Sequence, residues 1–311
     1  MEKQIEQQIE INLKKQRRKN LFQENIPNYL MLAPFFIFFF IFLVLPILSS
    51  MVLSFTNYDM INSPSFIGLE NYLRMFVSDD VFPVVFANTM LFAIICGPAG
   101  FLLSFVLAWF INEFSPIART LLSFMFYAPA LVGNAVFIWQ VAFSSDSYGY
   151  INSALLSLGL ITEPVTWLST EQYIKPIIIA VQLWSSMGVS FLSNISGLQN
   201  VNKELYEAGS IDGIRNRWQE LWYITLPTMK NMLLFSAVMQ ISSAFSISGI
   251  AITLAGFPSV AYAGDTIVSH MMDLGTVRYE LGYASAVAVV LFLMMVVFRL
   301  IVGKILNMTG K

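Results

Sequence analysis

Three groups of residues in this chain have the types and spacing to do chemistry. The first is Glu207-Ala208-Gly209-Ser210-Ile211-Asp212-Gly213, inside the polar stretch 199–230. Asn202 can cap a helix start, Glu204 and Glu207 fall in its first turns where the helix dipole favours acids, and Gly213 can take the left-handed stop. These residues predict a helix of roughly ten residues carrying carboxylates. A second amphipathic stretch, with Trp218, Leu221, Trp222 and Ile224 at helical spacing, follows until Leu226-Pro227 breaks it. Such a loop either docks a partner or lies on a membrane surface, and the residues alone leave both open. The other two groups are polar stripes in apolar runs. Gln182, Ser186 and Ser190 recur every fourth residue with Trp184 beside them, and Ser236, Gln240 and Ser243 share another helical face. Uncharged donors and acceptors of this kind either bind a neutral hydroxylated ligand or join packed helices. Asn88, Asn134 and Asn194 are further intramembrane amides for which packing is expected.

Several chemistries are excluded. There is no Gly-x4-Gly-Lys-Ser/Thr phosphate loop and no ligand spacing for a metal. The lone histidine, His270, is expected in an external loop. The lone cysteine, Cys96, sits in an apolar run and reads as a small buried hydrophobe. The chain is therefore expected to be non-catalytic and to bind neither cofactor nor metal.

The elements that must position these groups follow from the charges. Of 311 residues 57% are hydrophobic and only 12% charged, about half the usual share of roughly 25%. That excludes a nucleic-acid-binding basic domain and a disordered chain. Six uncharged stretches are each long enough to cross a bilayer, with apolar cores near 29–54, 84–111, 120–143, 176–198, 231–254 and 281–303. Backbone polar groups in lipid must be satisfied locally, and the alternation of a membrane barrel is absent, so these are six transmembrane helices of an all-α integral membrane protein. Fourteen of the 17 basic residues fall on one side, six of them before the first span, and only Arg74, Lys175 and Arg278 on the other. The basic side is cytoplasmic, so both termini are inside. The division is a cytoplasmic tail, 1–27, and a six-helix membrane domain, 28–311, with a cytoplasmic loop at 199–230. The first apolar segment is too long and too far from Met1 for a cleaved signal peptide. An ion-coupled carrier or channel would place charges within its spans. A membrane enzyme would show a His cluster or acid pair, and a scaffold would leave the 207–213 pattern without purpose.

That pattern, followed by Ile224-Thr225-Leu226-Pro227, resembles the EAA motif of binding-protein-dependent ABC importer permeases, a family with Glu-Ala-Ala, three residues, Gly, and then Ile-x-Leu-Pro. Within the family the chain is similar to the carbohydrate-uptake branch of the maltose or multiple-sugar type. Phe66-Ile67-Gly68-Leu69-Glu70-Asn71-Tyr72, Asn88-Thr89, Gly197-Leu198-Gln199 and Gly282-Tyr283-Ala284-Ser285-Ala286 support this, from about Tyr29 to Gly303. Gly209, Ile214 and Asn231 depart from the usual Ala, Ala and Pro, and Gly256-Phe257-Pro258 from a Gly-Gly-Pro run. The resemblance implies the type I ABC importer permease fold in the bacterial cell membrane. It implies a second permease subunit, a cytoplasmic ATPase dimer that takes ATP and Mg, and a periplasmic or extracellular sugar-binding protein. Glu207, Ala208, Gly209, Asp212, Gly213, Ile224, Leu226 and Pro227 would couple to the ATPase. Gln182, Ser186, Gln240 and Ser243 would line the path of a sugar, an oligosaccharide above all. A glycerol-phosphate-type or other polyol permease is the alternative.

Overall fold

The computed structural model describes residues 25–308, with side chains up to Lys304. Of the tail expected at 1–27, residues 1–24 with all six of its bases lie outside the described residues, and 25–27 belong to the first helix. The chain divides into two compact units, Met1–Leu53 and Ser54–Lys311. In the first, α1 (Asn25–Leu53) is a 29-residue apolar helix of mean hydropathy 2.8. A π-turn at Phe40–Val44, closed by Leu45 N–H on the Phe40 carbonyl, precedes Pro46. Proline has no N–H to give, and the wider turn redistributes the bonds around it.

The second unit is built on α3 (Phe82–Asn112), a 31-residue helix whose length of about 46 Å exceeds a hydrocarbon core of roughly 30 Å. Ahead of it lies the short amphipathic α2 (Glu70–Val77). After it come α4 (Pro116–Leu131) and α5 (Val136–Ala142), then α6 (Tyr150–Ser157). Next are α7 (Glu171–Ser185), α8 (Val189–Gln199) and the polar-loop helices α9 (Lys203–Ile211) and α10 (Arg217–Glu220). The chain ends with α11 (Lys230–Phe245), α12 (Ser248–Ala255), α13 (Ile267–Met272) and α14 (Leu281–Met308).

Among the described residues, five helices or end-to-end helix pairs are long and apolar enough to cross a membrane, and the bent pair α4 and α5, taken as one span, makes a sixth. The sixfold expectation holds, but three spans expected to be continuous are broken. α4 and α5 meet at 82°. Pro129, Gly133 and Asn134 are poor helix formers, and Val132 turns extended there. α7 and α8 part at Ser186–Gly188, and α11 and α12 at Ser246–Ile247. Hydropathy cannot register such breaks because the residues that form them are uncharged.

Three apolar cores hold the unit. One joins the start of α3 to α2, α13 and the start of α14 through Met75, Phe82, Val85, Ile267 and Val287. A second lies at the other end of α3, where Phe105, Ala108 and Ile111 meet Phe191 and Leu198 of α8 and Leu221 and Ile224 of the polar loop. The third packs Phe92 and Cys96 on Ile174, Ile178 and Ala251. Cys96 is buried, as expected.

Candidate functional site

The α9 helix forms as its caps dictate. Asn202 Oδ1 accepts from Glu204 N–H at 3.1 Å, and Gly213 closes the other end at φ +97°. Ile214 N–H reaches the Gly209 carbonyl at 2.9 Å and Asp212 N–H the Ala208 carbonyl at 3.0 Å. Nine residues is too short for a stable isolated helix, so packing must supply the rest. Tyr206 and Gly209 supply it. Tyr206 Oη bonds Thr225 Oγ1 at 2.9 Å. A Cβ on Gly209 would lie 2.7 Å from Ile224 Cδ1 and 3.1 Å from Ile214 Cδ1. The glycine that departs from the family's alanine is thus, with Tyr206, a point where α9 touches the Ile-x-Leu-Pro segment.

That segment differs from expectation. Pro227 does not break the helix. A π-turn at Leu221–Thr225, with Leu226 N–H on the Leu221 carbonyl, carries the chain through Leu226–Thr228, and the bend falls at Met229. It is the same device as at Pro46. Leu221 and Ile224 are buried against α3 and α8, while Trp218 packs on Trp109 at 5.3 Å between ring centroids. Arg217 bonds Glu113 at 2.7 Å and Glu220 at 2.8 Å, and the Glu220 bond leads in raising its pKa above the ordinary value. Glu207, Ala208, Ile211 and Asp212 remain exposed, Ile211 at 87%. The predicted coupling residues therefore split into a seated face, Gly209, Ile224 and Leu226, and a free face. Gly213 and Pro227 shape the backbone.

Gln182, Ser186, Gln240 and Ser243 come together beside the helix breaks. Gln182 Nε2 donates to Ser243 Oγ at 2.9 Å. Gln240 Nε2 donates at 3.0 Å to the Ser186 carbonyl, freed where α7 ends. Gln182, Ser186 and Gln240 are buried; Ser243 is exposed. Trp184 meets Trp139 edge-on at 5.5 Å. Asn194 reaches Ser104 at 3.3 Å.

At the opposite end of α3 the structure adds a cluster the sequence did not reveal. His270 lies, as expected, in the connection between the last two spans, within the short α13; it is buried, and its Nε2 is 2.8 Å from Asp79 Oδ2. Tyr283 Oη donates to the same oxygen at 2.6 Å. Asp79 Oδ1 takes the N–H groups of Val81 and Phe82 at 2.9 and 3.0 Å, capping α3. Burial alone would raise the Asp79 carboxyl, but these donors outweigh it and hold it below the ordinary range. Asp265, also buried, is pushed up by desolvation. Asn88 donates to the Tyr262 and Asp265 carbonyls at 2.8 and 2.9 Å, tying α3 to the 257–266 loop. Asn71 clamps the Ser54 and Thr56 carbonyls. Gly282 is required because a Cβ there would strike the Thr56 carbonyl oxygen. The 66–72, 88–89 and 282–286 residues are therefore joints between loops.

A broken-helix membrane bundle with a capped helix seated on one end is the architecture of a transport permease. Residues 90–307 match the family described as binding-protein-dependent transport system inner membrane component, and the chain belongs to it. It is a multi-pass ABC importer permease subunit. It is 30% identical over 294 residues to the arabinooligosaccharides transport system permease protein AraP of Bacillus subtilis, covering 93% of this chain and 91% of that one. It is 30% identical over 219 residues to the lactose transport system permease protein LacF of Rhizobium radiobacter, covering 69% and 71%. A permease chain from the crystal structure of a bacterial ABC transporter that imports the acidic polysaccharide alginate superimposes with a TM-score of 0.78 at 25% identity, covering 95% of this chain and 100% of that one.

Proposed function

We propose that this chain forms half of the translocation pathway of an ATP-driven importer for a neutral oligosaccharide. The observation that carries the reading is α9, whose Tyr206 and Gly209 face is seated on the helix ends while Glu207, Ala208 and Ile211 stay free. A short helix seated on the Leu221–Thr225 turn, which is itself buried against α3 and α8, transmits displacement better than a loop, and its carboxylates suit basic groups of an ATPase subunit. That ATPase, as a dimer, takes ATP and Mg, and the skew of Lys and Arg supports a cytoplasmic location for this end and both termini. A second permease completes the pathway, and an external binding protein delivers the sugar at the Asp79–His270 end.

Broken helices support the substrate path. Non-helical backbone at membrane depth persists only inside protein or beside a wet cavity. Here Gln182, Ser186, Gln240 and Ser243 sit at two breaks with Trp184 and Trp139 near, offering amides, hydroxyls and ring faces without charge. Neutrality of these groups, together with AraP and LacF as relatives, favours an uncharged oligosaccharide. The test is ATP-dependent uptake of a sugar panel by vesicles holding both permeases, the ATPase and the binding protein. Uptake of at least one oligosaccharide is expected, and Gln182→Ala with Gln240→Ala abolishes it. Unchanged uptake in that double variant sinks the substrate path, and uptake of none of the panel sinks the sugar reading.

A further inference from the structure

We propose that the seam between α3 and α11 holds an acyl chain of an anionic phospholipid, with its headgroup on Lys230. Two cavities lie along that seam and share Phe101. The first, 400 Å³, is walled by Phe101, Phe105 and Val106 of α3, by Trp222 and Leu226, and by Leu233. Among the described residues, Lys230 is the one charged group lining either cavity. The second, a separate cavity of 370 Å³ beyond Phe101, is walled by Gly97 and Pro98 on α3, Ala237 and Ile241 on α11, and Phe298 and Ile301 on α14.

The dimensions fit one leaflet. From Val106 to Ala93, the outermost α3 residues that line the two cavities, the helix rises about 20 Å, enough for the depth of one leaflet, which is about 15 Å as half of a roughly 30 Å hydrocarbon core. The chemistry is graded in the same direction. An ammonium and an exposed indole, Trp222 at 65%, stand at the interfacial end, and only apolar groups lie deeper. Lys and Trp at the interface with hydrocarbon below are what a phosphodiester and its chain require. A cationic head with no ion-pair partner among the described residues, over an apolar slot, selects an anionic lipid over a zwitterionic one. The slot is bounded by Leu221, Leu226 and Pro227, so a bound chain would brace the segment on which α9 rests. The inference rests on the cytoplasmic placement of 199–230 proposed above.

The test uses the assembled transporter in phosphatidylcholine vesicles containing either phosphatidylglycerol or phosphatidylcholine with a photoactivatable acyl chain. Mass spectrometry then maps the adducts. Adducts on the 97–106 and 233–241 segments several-fold stronger with phosphatidylglycerol are expected. Lys230→Gln should lower them to the phosphatidylcholine level, and Lys230→Arg should restore them. Equal labelling by both lipids, or no adduct on either segment, overturns the proposal. So does a cross-link from the seam to a protein helix, which would mean that a second subunit covers it. ATPase co-purification, scored on the same sample, separates this failure from failure of the coupling reading.

Discussion

The contact between Gly209 and Ile224 yields the sharpest prediction about coupling. Alanine at 209 gains about 1 kcal/mol of helix propensity. Its Cβ, however, would come within 2.7 Å of Ile224 Cδ1 and 3.1 Å of Ile214 Cδ1. Overpacking of that kind costs about 1–3 kcal/mol. The 2.7 Å neighbour is the tip of a flexible side chain, so the lower end applies and the net penalty is about 0–1 kcal/mol. Gly209→Leu has no such escape and drives α9 off its seat. Because 1.4 kcal/mol is about tenfold in affinity, Gly209→Ala should weaken ATPase binding by no more than about fivefold and Gly209→Leu by well over tenfold. Ile224→Val removes the offending methyl at a cost of about 0.5–1.5 kcal/mol. It should therefore rescue Gly209→Ala, with a coupling energy of about 1 kcal/mol in the double-mutant cycle. Affinity is read as the half-point for ATPase binding to permease pairs in nanodiscs. Strict additivity, or a Gly209→Leu variant that binds like the parent, would refute the proposed seat.

Other expectations follow from the joints. Asn202→Ala removes the α9 cap and costs about 1 kcal/mol; ATPase binding should fall about fivefold while thermal unfolding of the membrane domain stays put. Asn88→Leu strands two carbonyls and should lower stability by about 2 kcal/mol or more, seen as a clear drop in the unfolding temperature; an unchanged temperature would contradict the clasp. Asp79 is an acid whose folded pKa is depressed below its ordinary 3.8. The stability it confers is complete above that value and is lost as pH falls through the folded one. Unfolding temperature should hold down to about pH 4 and then decline, less steeply in Asp79→Asn. Asp265 carries the opposite sign, so Asp265→Asn should match or exceed the parent's unfolding temperature at neutral pH; a loss as large as that of Asp79→Asn would contradict this.

The sequence showed some of these features and hid others for a physical reason. α9 was legible because Asn202, Glu204 and Gly213 act on backbone within a few residues of themselves. The six spans were legible because charge is excluded from lipid. The breaks were not, since what makes them tolerable is remote: the Ser186 carbonyl is satisfied by Gln240, 54 residues away. The burial of His270 on Asp79 was not legible because the two are 191 residues apart. Pro227 was read as a stop because local rules do not anticipate a π-turn that absorbs the missing N–H. Gly209, a departure from the EAA pattern, could have signalled a close approach, but only the structure supplies Ile224 as the neighbour.

The central claim is that α9 is the element through which the ATPase moves the bundle. It is tested most directly by placing Ala208→Cys or Ile211→Cys in a Cys96→Ala background and labelling the assembled transporter with a short reagent that has one thiol-reactive end, one photoactivatable end and a disulfide in its spacer. The account predicts a permease–ATPase adduct from both positions and loss of ATP-driven uptake on cross-linking, restored by reduction. No adduct from either position in a transporter that still imports would contradict it.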